Sequence, residues 1–276
     1  MAGNPLKKSR ESERPTGPGP RLLTEERRRA ILGIVDRQGS ALISDLSRQF
    51  GVSSVTIRAD INSLCTKDLL MRSHGGAFRR SDVVLDAPLE VKASQHHEEK
   101  VRIAQAAAAL VKEGEIVLLD SGTTTLEVSR AIAARNLAGL TVITNALDIS
   151  SELAGHPQIS VIMIGGLLRH ISRSFVGPQA EKMLASLHAD HLFLGVDGLE
   201  PNVGPSTPDV LEAESNAVMI RIAREVTVVT DASKIGRRSL CTMAPISAVH
   251  RIITDRSIPA EHREMLAFKG VEVIAV

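Results

Sequence analysis

The sequence predicts an α/β chain of two domains: a small helical domain closed by a hairpin, then a larger domain built on a parallel sheet. Three observations carry this. The 276 residues suit two domains at roughly 100–200 residues each. A basic front end precedes a mildly acidic body, since residues 1–80 hold 15 Lys and Arg against 8 Asp and Glu while the remaining 196 hold 18 against 24. From residue 98 onward, Val/Ile/Leu runs alternate with amphipathic stretches, the pattern of strands buried on both faces by helices.

Residues 1–20 combine Gly, Pro, Ser and charge without an apolar run, and are expected to be a disordered tail rather than a signal peptide. Residues 21–78 read as short helices and a hairpin. Thr24 can cap a helix with Glu25 and Glu26 in its first turn, Ile31, Ile34 and Val35 form its apolar stripe, and Gly39 lies past its end. Leu46 and Phe50 mark a second helix, Gly51-Val52-Ser53 a turn, and Ile57, Ile61 and Leu64 one face of a third helix. Leu69 to Phe78 reads as two strands around Gly75-Gly76. Residues 79–97 show mixed charge and little periodicity and are expected to be a linker. The α/β domain follows at 98–276, with strands expected at Ile116–Leu119, Leu140–Ile143, Ile159–Ile164, Leu192–Leu194, Val226–Val229, Ile252–Ile253 and Val271–Val276.

Composition excludes several classes. Aromatics make up 2% of the chain, with no Trp or Tyr, so nucleic-acid recognition by stacked aromatic rows is unsupported. Cys65 and Cys241 form no C-x-x-C pair, and the nine histidines show no metal spacing. No run approaches the ~18 apolar residues of a membrane span. A cytoplasmic protein without metal, cofactor or membrane partner is expected. There is no Walker loop, G-x-S-x-G or Rossmann fingerprint.

The segment Ile43 to Leu64 has helix-turn-helix grammar. With Ile57, Ile61 and Leu64 buried, Ser54, Thr56, Arg58 and Asn62 lie away from the core, and Ser53 can cap the helix. Small hydroxyl residues at a helix start approach phosphates closely, and Arg reaches a phosphate or a guanine edge. The plain alternative is a helical hairpin with Arg58 on a solvated face. The hairpin that follows favours a winged helix, with Arg72 and His74 where a wing touches the DNA backbone. Candidate DNA-contacting residues are therefore Ser53, Ser54, Thr56, Arg58, Asn62, Arg72 and His74.

In the body, polar residues recur where apolar runs stop. Asp120, Ser121, Gly122, Thr123, Thr124 and Thr125 follow the first run and open a helix. Thr144-Asn145 follows the second, Gly165-Gly166 with Arg169 the third, Asp197 the fourth and Lys234 the fifth. In a parallel sheet all lie at the carboxyl edge, where open α/β sheets bind ligands. A helix N-terminus with hydroxyls and nearby Lys and Arg suits phosphate, while Asp120, Asn145, Asp197 and Glu212 suit sugar hydroxyls or an amide. Each loop alone also fits ordinary capping, and Glu212 fits the polar face of a helix.

Together these segments resemble the DeoR family of bacterial sugar-metabolism regulators. The resemblance rests on Gly51-Val-Ser-Ser-Val-Thr-Ile-Arg-Ala-Asp-Ile61, Arg72-Ser-His-Gly-Gly-Ala77, Leu119-Asp-Ser-Gly-Thr-Thr-Thr125, Val142-Ile-Thr-Asn145, Gly165-Gly-Leu-Leu-Arg169, Phe193-Leu-Gly-Val-Asp197 and Thr230-Asp-Ala-Ser-Lys234. Ala59 stands where the family often has a second Arg, and Asp68 where it often has Gly. The resemblance implies a repressor, a homo-oligomer on double-stranded operator DNA, and a phosphorylated sugar as effector. Leu118–Arg130 and Ser174–Val210 are most similar to the family's regulators of N-acetylgalactosamine and galactosamine use, which implies an amino-sugar phosphate. The body also resembles the ribose-5-phosphate isomerase fold, so a sugar-phosphate isomerase is the rival reading. That enzyme's Lys-Gly-Gly-Gly stretch is replaced here by Val203-Gly-Pro-Ser-Thr207, without Lys. A regulator controlled by a protein partner is the third reading.

Overall fold

A computed structural model describes residues 23–38, 40–67, 69–73, 76–79, 86 and 88–276. The chain divides into two compact units between residues 80 and 81.

The first unit contains α1 (Thr24–Gln38), β1 (Ser40–Leu42), α2 (Ile43–Phe50), α3 (Ser54–Thr66), β2 (Leu70–Ser73) and β3 (Gly76–Arg79). Its core is aliphatic: Ile31, Ile34 and Val35 of α1 meet Leu46 of α2, Ile57, Ile61 and Leu64 of α3, and Leu70 and Ala77 of the hairpin. Gly51 ends α2 in the left-handed region at φ 62, a conformation that favours glycine, and this makes the sharp turn into α3. The hairpin gains a third strand that the sequence did not announce, because β1 pairs antiparallel with β3 through Ser40↔Phe78 and Leu42↔Gly76. Buried Asp60 of α3 receives Arg27 at 2.6 Å and Arg28 at 3.0 Å, which fastens α3 to α1.

The second unit begins with α4 (Leu89–Ser94), within the stretch expected to be a linker, and α5 (His97–Ala109). Then come β4 (Ile116–Leu119), α6 (Thr123–Ala133), β5 (Thr141–Thr144), α7 (Leu147–Leu153), β6 (Ser160–Met163) and the hairpin β7 (Leu167–Arg169) and β8 (Ser174–Val176). The remainder is α8 (Pro178–Leu184), β9 (Ala189–Leu194), β10 (Gly198–Glu200), β11 (Gly204–Thr207), α9 (Val210–Ile222), β12 (Ala223–Val229), β13 (Cys241–Thr242), β14 (Arg251–Thr254), α10 (Ala260–Phe268) and β15 (Glu272–Ala275).

Seven of these strands form one parallel sheet in the order β15-β14-β12-β9-β4-β5-β6. They correspond to the seven apolar runs. Successive side chains along β4 alternate between faces: Val117 and Leu119 join a core with α5, α6 and α7, while Leu118 joins another with α8, α9 and α10. The chain enters at β4, winds outward to β6, then crosses to β9 on the other flank. The switch point therefore lies between the carboxyl ends of β4 and β9, where doubly wound sheets leave a crevice. Among the described residues no helix is long and apolar enough to cross a membrane.

Candidate DNA-reading face and effector pocket

In the first unit, Ser53 caps α3 by accepting a hydrogen bond from the Thr56 amide at 3.2 Å, and its hydroxyl lies 2.9 Å from that of Thr56. Burial of Ile57, Ile61 and Leu64 leaves Val55, Arg58, Ala59 and Asn62 exposed along the opposite face. Ser54 and Thr56 are half-buried at its start. Val55, 70% exposed, is an apolar residue absent from the sequence-based set, and such a side chain suits a thymine methyl. Arg72 belongs to β2, and His74 lies outside the described residues.

In the second unit, a cavity of about 50 Å³ opens at the switch point. Eight residues expected from sequence line it: Asp120, Ser121, Gly122, Thr123 and Thr124 after β4, Asp197 after β9, Glu212 on α9 and Lys234 after β12. The cavity is also bounded by Leu89, Lys92, Ser172, Thr207 and Asn216, which sequence reasoning missed.

Its charges are held in pairs. Lys234 donates to the Val196 carbonyl at 2.8 Å, and burial lowers its pKa while Asp197 and Asp231 oppose that. Asp197 receives Lys92 at 2.7 Å. The Thr207 hydroxyl lies 3.1 Å from Glu212 and 3.3 Å from Asp197 and can donate to one at a time. Glu212 also accepts from Ser174 at 3.2 Å. Asp120 is fully buried; burial and the neighbouring Glu212 push its pKa well above the ordinary carboxylate range. Asp120 thus favours its protonated, hydrogen-bond-donating form more than an ordinary carboxylate does.

The other expected residues serve the frame. Thr125 is buried and donates to the Gly122 carbonyl at 3.0 Å, closing the first turn of α6. Thr144 accepts from the Ala146 amide at 3.1 Å, and Asn145 donates to the Phe175 carbonyl at 3.1 Å, joining β5 to β8. Gly165 precedes β7. Gly166 has φ +156, and a Cβ there would meet the Val176 carbonyl oxygen at 2.7 Å, so packing demands glycine. Arg169 does not line the cavity. Its guanidinium pairs with Asp86, with Asp209 at 3.1 Å and with Glu212 at 3.4 Å.

Among the described residues no His, Cys, Asp and Glu side chains gather as a metal site. His191 stacks on Phe193 at 4.2 Å and meets Thr227 at 2.8 Å, and burial lowers its pKa to about 4, so it is a neutral core residue.

The arrangement offers a helix N-terminus and lysines for an anion, facing carboxyl and hydroxyl groups for a polyhydroxylated body. Comparison with known proteins matches a family model to each unit of the chain. The DeoR-like helix-turn-helix domain matches residues 27–82, and the DeoR C terminal sensor domain matches residues 95–256. A candidate aga operon transcriptional repressor of Escherichia coli O157:H7 is 38% identical over 92% of this chain and 94% of its own. The glycerol-3-phosphate regulon repressor of Escherichia coli K12 is 30% identical over 90% of this chain and 97% of its own. A ribose 5-phosphate isomerase A of Methanocaldococcus jannaschii aligns over 51% of this chain and 55% of its own, with a TM-score of 0.39 and 18% identity, a likeness too slight to carry an argument. The chain belongs to the DeoR family, and is a DNA-binding transcriptional regulator with a sensor domain, not an enzyme.

Proposed function

We propose that the chain represses a sugar or amino-sugar catabolic operon in the cytoplasm and leaves its operator when a phosphorylated sugar binds the switch-point pocket. The observation that carries this is the pocket's division of labour. Backbone amides and hydroxyls of Ser121–Thr124 at the positive end of α6, with Lys234, form an anion cradle. Asp120, Asp197, Thr207 and Glu212 form a hydrogen-bonding wall for hydroxyls or an amino group. The similarity to a glycerol-3-phosphate regulon repressor supports a phosphorylated carbon source as the signal.

Operators for helix-turn-helix proteins are usually repeated half-sites, so the acting species is a homo-oligomer. Effector binding favours an arrangement whose reading helices no longer match the half-site spacing, and a coupling of ~1–3 kcal/mol weakens DNA binding ~5–150-fold.

The test is operator release, followed by fluorescence anisotropy, under titration with hexosamine 6-phosphates, hexose 6-phosphates and ribose 5-phosphate. One class should release the operator at micromolar to millimolar concentration. Lys234→Ala should bind the operator as wild type does and require roughly ten times more effector or beyond. Release of the variant at the wild-type concentration removes Lys234 from the site, and failure of every sugar phosphate to release wild type removes the effector class.

A further inference from the structure

The cavity is too small for the ligand proposed for it. Sites for small organic ligands measure ~300–1,000 Å³, against about 50 Å³ here, so a wall must move to admit a sugar phosphate. Most of the wall cannot. Asp120 and Gly195 continue β4 and β9 in the centre of the sheet, and the flanking α6 and α9 each bury six or seven residues. The exception is α4, which supplies Leu89 and Lys92, spaced i and i+3 on one face. None of its six residues is buried.

Polar contacts hold α4 in place. Lys92 reaches Asp197 at 2.7 Å and Asp86 at 3.7 Å, Asp86 pairs with Arg169, and buried Lys100 donates to the backbone carbonyls of Lys92 and Gln95. Moorings of this kind are exchangeable, because a ligand bearing its own charge can replace either partner, whereas a packed apolar helix offers no substitute. Lys92 and Lys234 both act on Asp197, and Lys92 adds to the burial that depresses the Lys234 pKa. A phosphate dianion at the N-terminus of α6 would be drawn to both.

We infer that Lys92 is a ligand of the effector's anionic group, carried on a displaceable wall of the pocket, and that effector binding resets α4 by exchanging the Lys92–Asp197 pair for a Lys92–anion pair. The inference rests on the effector class proposed above. Asp86 lies seven positions beyond Arg79, where the hairpin of the DNA-binding unit ends, so among the described residues α4 is the first helix on the chain leading from that unit into the sensor. A ligand shifts an equilibrium only through contacts that differ between two states, and Lys92 provides such a contact.

The experiment uses the full chain, with galactosamine 6-phosphate, glucose 6-phosphate, ribose 5-phosphate and inorganic phosphate as probes. Calorimetry reads affinity, and hydrogen exchange reads the amides of Val91–Gln95. Lys92→Met, which keeps the apolar stem, should weaken the best sugar phosphate about tenfold or more and weaken inorganic phosphate as well, while Lys92→Arg should stay within a few-fold of wild type. The bound probe should change exchange in Val91–Gln95. Asp86→Asn, which removes one partner each of Lys92 and Arg169 and so loosens α4 while leaving the Lys92 ammonium in place, should tighten binding several-fold by raising the fraction of receptive molecules. If wild type binds a sugar phosphate while Lys92→Met and Asp86→Asn match it within twofold and α4 exchange is unchanged, the role of Lys92 is overturned and the effector class stands. If wild type binds none of the sugar phosphates, both fall.

Discussion

Arg58 and Asn62 stand exposed on α3 because Ile57, Ile61 and Leu64 occupy the opposite face. Arg58→Ala should therefore leave the unfolding transition in place and weaken operator binding by ~1–3 kcal/mol, measured by anisotropy at fixed salt; unchanged affinity would take this face out of the major groove. Lys100 presents the opposite case, a charge buried at 2% exposure whose pKa burial, then Lys234, lowers to about 8. Between about pH 8 and the unfolded value of 10.5 the unfolded chain binds more protons at this site, so its contribution to stability rises with pH and is lost as pH falls through 8. Urea unfolding should show wild type gaining about 1–3 kcal/mol on Lys100→Met between pH 7.5 and 10. A flat difference over that range would mean that Lys100 titrates normally. Residues of this scale were unevenly legible. Asp120, Ser121 and Lys234 follow buried strands, and strand position predicted their place in the pocket. Lys92 and Asn216 could not be read this way, since a helix residue reaches a pocket only through the helix's tertiary placement.

At the scale of elements, apolar patterning carried far. All seven strands of the parallel sheet lie on the Val/Ile/Leu runs, because a strand buried on both faces has no polar alternation to blur it. The short antiparallel pieces were invisible. Strand β11 reads Gly-Pro-Ser-Thr and β13 has two residues, so their pairing is set by the neighbours they meet rather than by their own propensity. Helix α4 was hidden for the same reason: with none of its residues buried it has no apolar stripe, and its charges read as a linker. The start of α3, by contrast, is a local device, with Ser53 closing its own cap three residues on. Ser53→Ala should cost the helix about 1 kcal/mol, seen as roughly fivefold faster hydrogen exchange in the α3 amides of the full chain. Exchange equal to wild type would show that tertiary contacts alone fix this end.

For the whole molecule, the two units keep separate cores. The aliphatic cluster of the first draws only on residues 31–77, and the two layers flanking the parallel sheet draw only on residues from 103 onward. Among the described residues each cluster is made of its own unit's apolar side chains, which is the condition for a domain to fold alone. A fragment of residues 81–276 should unfold in one cooperative transition and bind no operator. It should also bind the same sugar phosphate as the full chain, because it retains Asp86, α4 and every residue lining the pocket. A fragment starting at residue 95 keeps the sheet and both apolar layers but lacks Leu89 and Lys92. It should fold as well and bind the sugar phosphate about tenfold or more weakly, with inorganic phosphate weakened alongside it. Calorimetry on the two fragments separates the sheet edge from its movable wall. Equal affinities would assign the whole anion site to Ser121–Thr124 and Lys234, whereas an unfolded longer fragment would show that the sensor depends on the unit before it.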